Sequence, residues 1–349
     1  MTKPSMSRRG LNASAVIWRA RNFVAAIFLA GLTSPAGIGA AAQDYDGPII
    51  DAHGHIGGSF DTDIMDRVTK ANGVRAMTLM ARYYPGVPMG QDQPGDDDMA
   101  LTLAAKHPGR FFALVGMQHP LLTGPEKWHE PDYAVKELLE STEKKLASGK
   151  FHGIGEVIVR HFAYSSGPHA ELNQPIYSAF MRELSGLAAK FDVPLVIHME
   201  GAPDLVANFS RLIADNPKVV YVWAHNCGRS HARVIRDMLT RHPNLMCDLG
   251  GMVNFAPRGH GYGTGWPRSE AYTALMEENG RFFPEMQAVY EDFSERFMIG
   301  TDIAHAPVMN DRTYSLRIKR FRKLLNTLKP ETAKRLAETN AVRIFRLDR

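Results

Sequence analysis

Pro48-Ile49-Ile50-Asp51-Ala52-His53-Gly54-His55 is the stretch on which the fold and the chemistry both turn. Its apolar start reads as a short buried strand. Strand side chains alternate between faces, so His53 and His55 point the same way, as two ligands of one metal ion would. Asp51 shares their parity and is expected to point inward as well, deeper down, as a hydrogen-bond acceptor behind them. The pair alone decides little, because chance supplies about 0.6 His-x-His pairs in a chain with 14 histidines among 349 residues.

Downstream the same unit recurs. Short aliphatic runs near 48–52, 74–80, 111–117, 153–159, 194–198, 219–224, 245–249 and 297–301 read as eight strands. Between them lie helical patterns over 132–148, 174–191 and 231–242, the first with Val135, Leu138, Leu139, Thr142 and Leu146 along one side. Alternation of this kind predicts an α/β fold, a single-domain (β/α)8 TIM barrel over residues 43–349, in which the chemistry belongs at the C-terminal strand ends. The loops 83–98, 118–132, 160–174 and 250–268 are long and rich in Gly, Pro and aromatic residues, as lids or substrate walls are.

Upstream, residues 1–42 hold five basic residues (Lys3, Arg8, Arg9, Arg19, Arg21) and no acidic one, then an apolar run from Phe23 to Leu32 and the small residues Ala40-Ala41-Ala42. That is the order of a cleavable signal peptide, with cleavage expected near Ala42-Gln43 and delivery to the periplasm or medium. The apolar run is short of the roughly 20 residues a bilayer span needs, so no permanent span is expected. Ser7-Arg8-Arg9-Gly10-Leu11 also resembles a twin-arginine signal, which leaves the export route open. Removing the leader takes Lys+Arg from 41 to 36 against 37 Asp+Glu, turning a net +4 into −1. The folded part therefore offers no case for nucleic-acid binding. In an oxidising compartment Cys227 and Cys247 either pair or remain buried thiols.

Six metal-competent side chains fall in or at the ends of five strands. His53 and His55 end the first, Glu156 sits in Gly153-Ile154-Gly155-Glu156-Val157, His198 ends Leu195-Val196-Ile197-His198, His225 ends Val222-Trp223-Ala224-His225, and Asp302 ends Ile299-Gly300-Thr301-Asp302. One histidine in an apolar strand is more often a hydrogen-bonded core residue than a ligand; four placed in this way reverse those odds. Arg229 is a weaker candidate, either for a substrate carboxylate or phosphate or as an ordinary helix-start arginine. His161, Glu200 and His305 follow ligand strands closely and either line the pocket or, the favoured expectation for each, are solvated loop residues.

These residues carry a resemblance to the amidohydrolase superfamily of metal-dependent barrels, in its amidohydrolase-related branch of hydrolases and decarboxylases. It extends to His242-Pro243-Asn244-Leu245 leading into Asp248, and to the closing Asn340-Ala341-Val342-Arg343-Ile344-Phe345. The resemblance implies that His53, His55, His198 and Asp302 hold one divalent metal, most often zinc. It also implies that Asp302 moves the proton of an activated water, and that His225 polarises the substrate or ligates a second ion. Glu156 matches the bridging carboxylate of two-metal members such as the TatD-like deoxyribonucleases. A carboxylate bonded to Arg160 or to a ligand histidine is the equal alternative.

The expected activity is an exported metal-dependent hydrolase of a small amide, ester, lactone or phosphoester, using one or two divalent ions. The runner-up is a one-metal decarboxylase of the same branch. A non-catalytic ligand-binding barrel comes third, disfavoured by the intact Asp302. A small-molecule substrate is the expected partner, and a homo-oligomer stays open.

Overall fold

The computed structural model describes residues 44–84, 93–161, 171–253, 275 and 281–348. The expected leader, residues 1–42, lies outside them, as do most of the loop after strand four and parts of those after strands two and seven.

Among the described residues the eight barrel strands are β1 (Ile49–Ile56), β2 (Val74–Arg82), β3 (Phe111–Gln118), β4 (Ile154–His161), β5 (Leu195–Met199), β6 (Tyr221–Trp223), β7 (Leu245–Asp248) and β8 (Phe297–Met298), with a two-residue strand, Leu172–Asn173, antiparallel to β4 outside the barrel order. They pair in sequence order and in parallel. The segment after β8 returns to β1: Ala52 N donates to Ile299 O at 3.0 Å, Asp302 N to His53 O at 2.8 Å and His55 N to Ile303 O at 2.9 Å. A helix follows each strand: α1 (Thr62–Ala71), α2 (Asp97–Lys106), α3 (Tyr133–Ala147), α4 (Ala179–Phe191), α5 (Pro203–Asp215), α6 (Ala232–Arg241), α7 (Pro284–Asp292) and α8 (Asp311–Leu325). The architecture is a parallel, nearly closed eight-stranded barrel with alternating helices, the arrangement of a TIM barrel.

Local chemistry sets the helix starts. Asp132 accepts from Val135 N and begins α3 one residue after the expected position. The 174–191 expectation is corrected to Ala179–Phe191. Ser178 caps the helix by accepting from Met181 N, Pro175 disfavours an earlier start, and Gln174 N is taken by Val159 O beside β4. The loop after β3 is packed down: Trp128 is buried edge-on to Phe180 at 5.0 Å, with its Nε1 donating to Leu122 O.

Two apolar layers divide the core. The larger lies between strands and helices, and the smaller fills the barrel interior with Ile50, Ala52, Met80, Leu114, Val196, Val222 and Met298. The C-terminal residues Ala341, Ile344 and Phe345 join that inner layer at the end where the strands begin, and Asn340 Nδ2 donates to Ser294 O and Phe297 O. Ile50 and Ala52 thus point inward, and Asp51 does not. It faces the helical layer, accepting from Tyr314 OH of α8 at 3.0 Å and from Thr301 Oγ1 at 2.6 Å. The β1–β2 register shifts between Asp51 and Gly54, which resets the alternation just before the histidines and overturns the inward expectation for Asp51.

Candidate metal centre

The strand ends bring all six predicted side chains to one place. Glu156 is their centre: its carboxylate lies 3.5 Å from His53 Nε2, 3.7 Å from His55 Nε2, 3.1 Å from His198 Nδ1 and 3.0 Å from His225 Nε2. Asp302 Oδ1 stands 3.3 Å from His55 Nε2 and 3.8 Å from His53 Nε2. Two groups of potential ligand atoms result, His53 with Glu156 and His225, and His53 with His55 and Asp302. His198 joins through His225, whose Nε2 is 2.8 Å from His198 Nδ1.

Backbone geometry makes this convergence possible. Gly155 adopts φ +143°, and a Cβ there would come within 2.7 Å of Val196 Cβ, so only glycine lets β4 approach β5 closely enough beside Glu156. Asp302 has φ +50°, and Arg317 of α8 holds that bend by donating to Thr301 O at 2.9 Å and Asp302 O at 3.2 Å.

Neighbouring acceptors fix the rings. His53 Nδ1 lies 3.0 Å from Asp248 Oδ2, and His225 Nδ1 lies 2.8 Å from Gly250 O, an acceptor only, so that nitrogen carries the proton. In their neutral forms both rings then present Nε2 lone pairs to the cluster. His53 Nε2 is buried and has no hydrogen-bond partner among the described residues. Two imidazole lone pairs 2.8 Å apart, as at His225 and His198, repel unless a proton or cation lies between them. With the histidines neutral, the four carboxylates (Glu156, Asp302, Asp248, Glu200) outnumber the buried guanidiniums beside them, Arg229 and Arg82, and the cluster is net negative. The donor set therefore fits a divalent cation.

The titration behaviour of the side chains reports the same imbalance. Burial disfavours charge on His53, yet Asp248 and Glu156 outweigh it and raise its pKa well above the ordinary value. Against the same burial penalty, Glu156 and Glu200 lift His198 to about 9. His225 goes down, through burial and the charges of Arg229 and His198. Despite burial, His198 and His53 hold Glu156 well below the carboxylate range, and His55 and His225 lower Asp302. Asp302 has the most exposed side chain of the six, at 19 %.

The weaker candidates land differently from expectation. Arg229 is neither at the surface nor aimed outward: it is buried, with its guanidinium on Glu200. Glu200 and His161 are buried and His305 half-buried, so none is the solvated loop residue expected. Arg160 turns to Glu171 Oε1 and Leu172 O, and the histidines hold Glu156 in its stead. Gln118 was missed. Ending β3, it donates from Nε2 to Glu156 Oε2 at 2.8 Å and accepts from Tyr84 OH at 2.9 Å. Burial, against the pull of Arg82, and the charges of Glu156 and Asp302 push Tyr84 up to about 12, so it remains a donor. A polar residue ending an apolar strand, as the ligands do, was the available signal. Cys227 and Cys247 form a disulfide with Cα atoms 5.2 Å apart, which resolves the open choice between pairing and free thiols.

A parallel barrel with histidines and carboxylates converging at its strand ends defines a class, the metal-dependent barrel enzymes acting on small molecules. The chain belongs within it to the amidohydrolase family, whose sequence profile matches residues 49–347. In fold it is similar to an amidohydrolase from Burkholderia multivorans solved with bound zinc (14 % identity, 86 % of this chain and 99 % of that one, TM-score 0.50). It is likewise similar to an Agrobacterium tumefaciens protein solved in its apo form (13 %, 87 % and 95 %, 0.52). A third is 4-oxalomesaconate hydratase from Rhodopseudomonas palustris (13 %, 86 % and 96 %, 0.50). No curated protein matches the chain. Among the described residues no helix is long and apolar enough to cross a membrane.

Proposed function

We propose that the protein is a metal-dependent hydrolase of a small amide, ester, lactone or phosphoester. Its centre would be held by His53, His55, Glu156, His198, His225 and Asp302, with zinc first among the divalent ions and Glu156 the bridge if two are bound. The observation that carries this reading is Glu156 lying within 3.7 Å of a nitrogen of each of four histidines. A divalent ion there supplies Lewis acidity, polarising the scissile group and making water a usable nucleophile near neutral pH.

The chain's own groups do the rest. Asp302, ionised and the most open to solvent, accepts a proton from the attacking water and returns it to the leaving group. His225, kept toward its neutral form by burial and Arg229, offers Nε2 to the centre while Gly250 O holds the ring. Asp248 and Gln118 hold His53 and Glu156 in place, so little reorganisation accompanies reaction. Tyr84 stands beside them as a neutral donor. Residues 1–42 would direct export; the Cys227–Cys247 disulfide supports an oxidising destination.

The test is a substrate panel with zinc-loaded protein and its Asp302→Asn variant. Hydrolysis of an amide, ester, lactone or phosphoester, lost in the variant, is the expected result. Carbon dioxide release from carboxylated substrates without any hydrolysis would establish the decarboxylase reading in its place, and ligand affinity unchanged by the variant with no turnover would establish a binder.

A further inference from the structure

Between β6 and α6 the backbone does something L-residues resist. His225, Asn226, Cys227, Gly228 and Arg229 have φ of 57, 55, 52, 66 and 58°, a left-handed turn in which four of five residues carry a Cβ. A tertiary anchor holds every one of them. Gly250 O takes the His225 ring, Tyr290 OH donates to Asn226 Oδ1 at 2.9 Å, Cys247 bonds Cys227, Gly201 N donates to Gly228 O at 2.9 Å, and Glu200 takes Arg229. Glycine is required at 228, where a Cβ would come within 2.2 Å of Met199 O.

The turn carries the chain back to the end of β5 and sets Arg229 against Glu200. Both are withdrawn from water, at 1 % and 0 % exposure. A buried ion pair is weak evidence for stability, because desolvation offsets much of the attraction. Its position is more telling. Glu200 Oε1 lies 3.4 Å from His198 Nε2, just beyond a well-formed hydrogen bond, while the other ring nitrogen, Nδ1, faces Glu156 Oε1 at 3.1 Å. A metal ligand must be neutral, and in that form the ring's single proton is contested between Glu200 at Nε2 and, at Nδ1, Glu156 together with His225 Nε2 at 2.8 Å. If Glu156 wins, Nδ1 is capped and cannot ligate.

We infer that Glu200, fixed by Arg229 through the left-handed turn, is a positioning residue that draws the His198 proton to Nε2 and so frees Nδ1 for the metal. This rests on the metal-centre reading above. It assigns Arg229 to the second of the two roles the turn serves, the first being to present His225.

The experiment uses the purified protein, Zn2+ as the probe, a chelating dye in competition to measure its Kd, and 15N-histidine NMR of the loaded protein to locate the His198 proton. Wild type is expected to bind Zn2+ with the proton on Nε2. Glu200→Gln is expected to weaken Zn2+ binding by about 10- to 100-fold and to change the His198 ring signals. Should that variant fail to fold, Glu200→Gln with Arg229→Met removes both charges and carries the same expectation. Zn2+ affinity within twofold of wild type together with unchanged ring signals, even with a lower Tm, would make the pair purely structural and overturn the inference. Wild type that binds no Zn2+ would sink the metal-centre reading itself, and the inference with it.

Discussion

The two ends of the barrel interior are built on opposite principles. Where the strands begin, Ile50, Leu114, Val196, Val222 and Met298 meet Ile344 and Phe345 of the C-terminal helix in an apolar plug. Where they end, a few residues further along the same strands, four histidines, Asp248 and Glu200 are buried about Glu156, with the half-buried Asp302 beside them. Water leaves the first end favourably, since apolar area is removed from it. Vacating the second costs desolvation of charge, which only paired charges or a bound cation repay. Apolar burial stabilises one end and buried charge is concentrated at the other, the order expected if charged sites are tolerated because a well-packed scaffold supports them.

That contrast breaks most sharply at Asp302. Changing it to Asn is expected to lower turnover by about 10²- to 10⁴-fold while moving the Tm of metal-free protein little; a large Tm loss would mean that the open end stabilises the fold after all. Phe345→Ala, at the closed end, is expected to do the reverse, costing roughly 3–5 kcal/mol of stability with Zn2+ affinity of the folded fraction unchanged. Chemical denaturation and dye competition on the same sample read both numbers. Replacing Cys227 and Cys247 by Ala together opens a link of sequence separation 20, for which loop-closure entropy predicts a loss of roughly 3 kcal/mol. Because Cys227 lies in the turn that presents His225, Zn2+ affinity is expected to fall as well, so this variant should be the one that moves both readouts.

The smallest effect concerns pH. His119 follows β3 and stacks on Tyr83 with ring centroids 3.8 Å apart. Burial, helped by the Lys145 charge, pushes its pKa down to about 4 from 6.5. Between those two pH values the unfolded chain binds the proton that the folded chain refuses, so stability falls as pH drops from 6.5 toward 4. His119→Phe is expected to flatten that part of the stability profile; an unchanged slope would place the acid sensitivity elsewhere.

Legibility in the sequence follows the same division. The six candidate ligands were readable because each ends or sits within an apolar strand run, and period-two alternation carried His53 and His55 to one face. Asp51 was misread because a register shift inside β1 has no signature in residue type. The burial and pairing of Arg229 and Glu200 were invisible for a related reason. A left-handed turn at His225, Asn226 and Cys227 contradicts local preference and is imposed by tertiary anchors, with Gly228 as its sole local hint. Gln118 lay at a strand end like the ligands, and only its lack of charge let it pass.

The central claim is that the Glu156 cluster is a metal centre, and elemental analysis of the purified protein beside Glu156→Gln tests it most directly. One or two divalent ions per chain in wild type, with at least one lost in the variant, is the predicted result; a wild type that remains metal-free after dialysis against Zn2+, or a variant that keeps every ion, would contradict it.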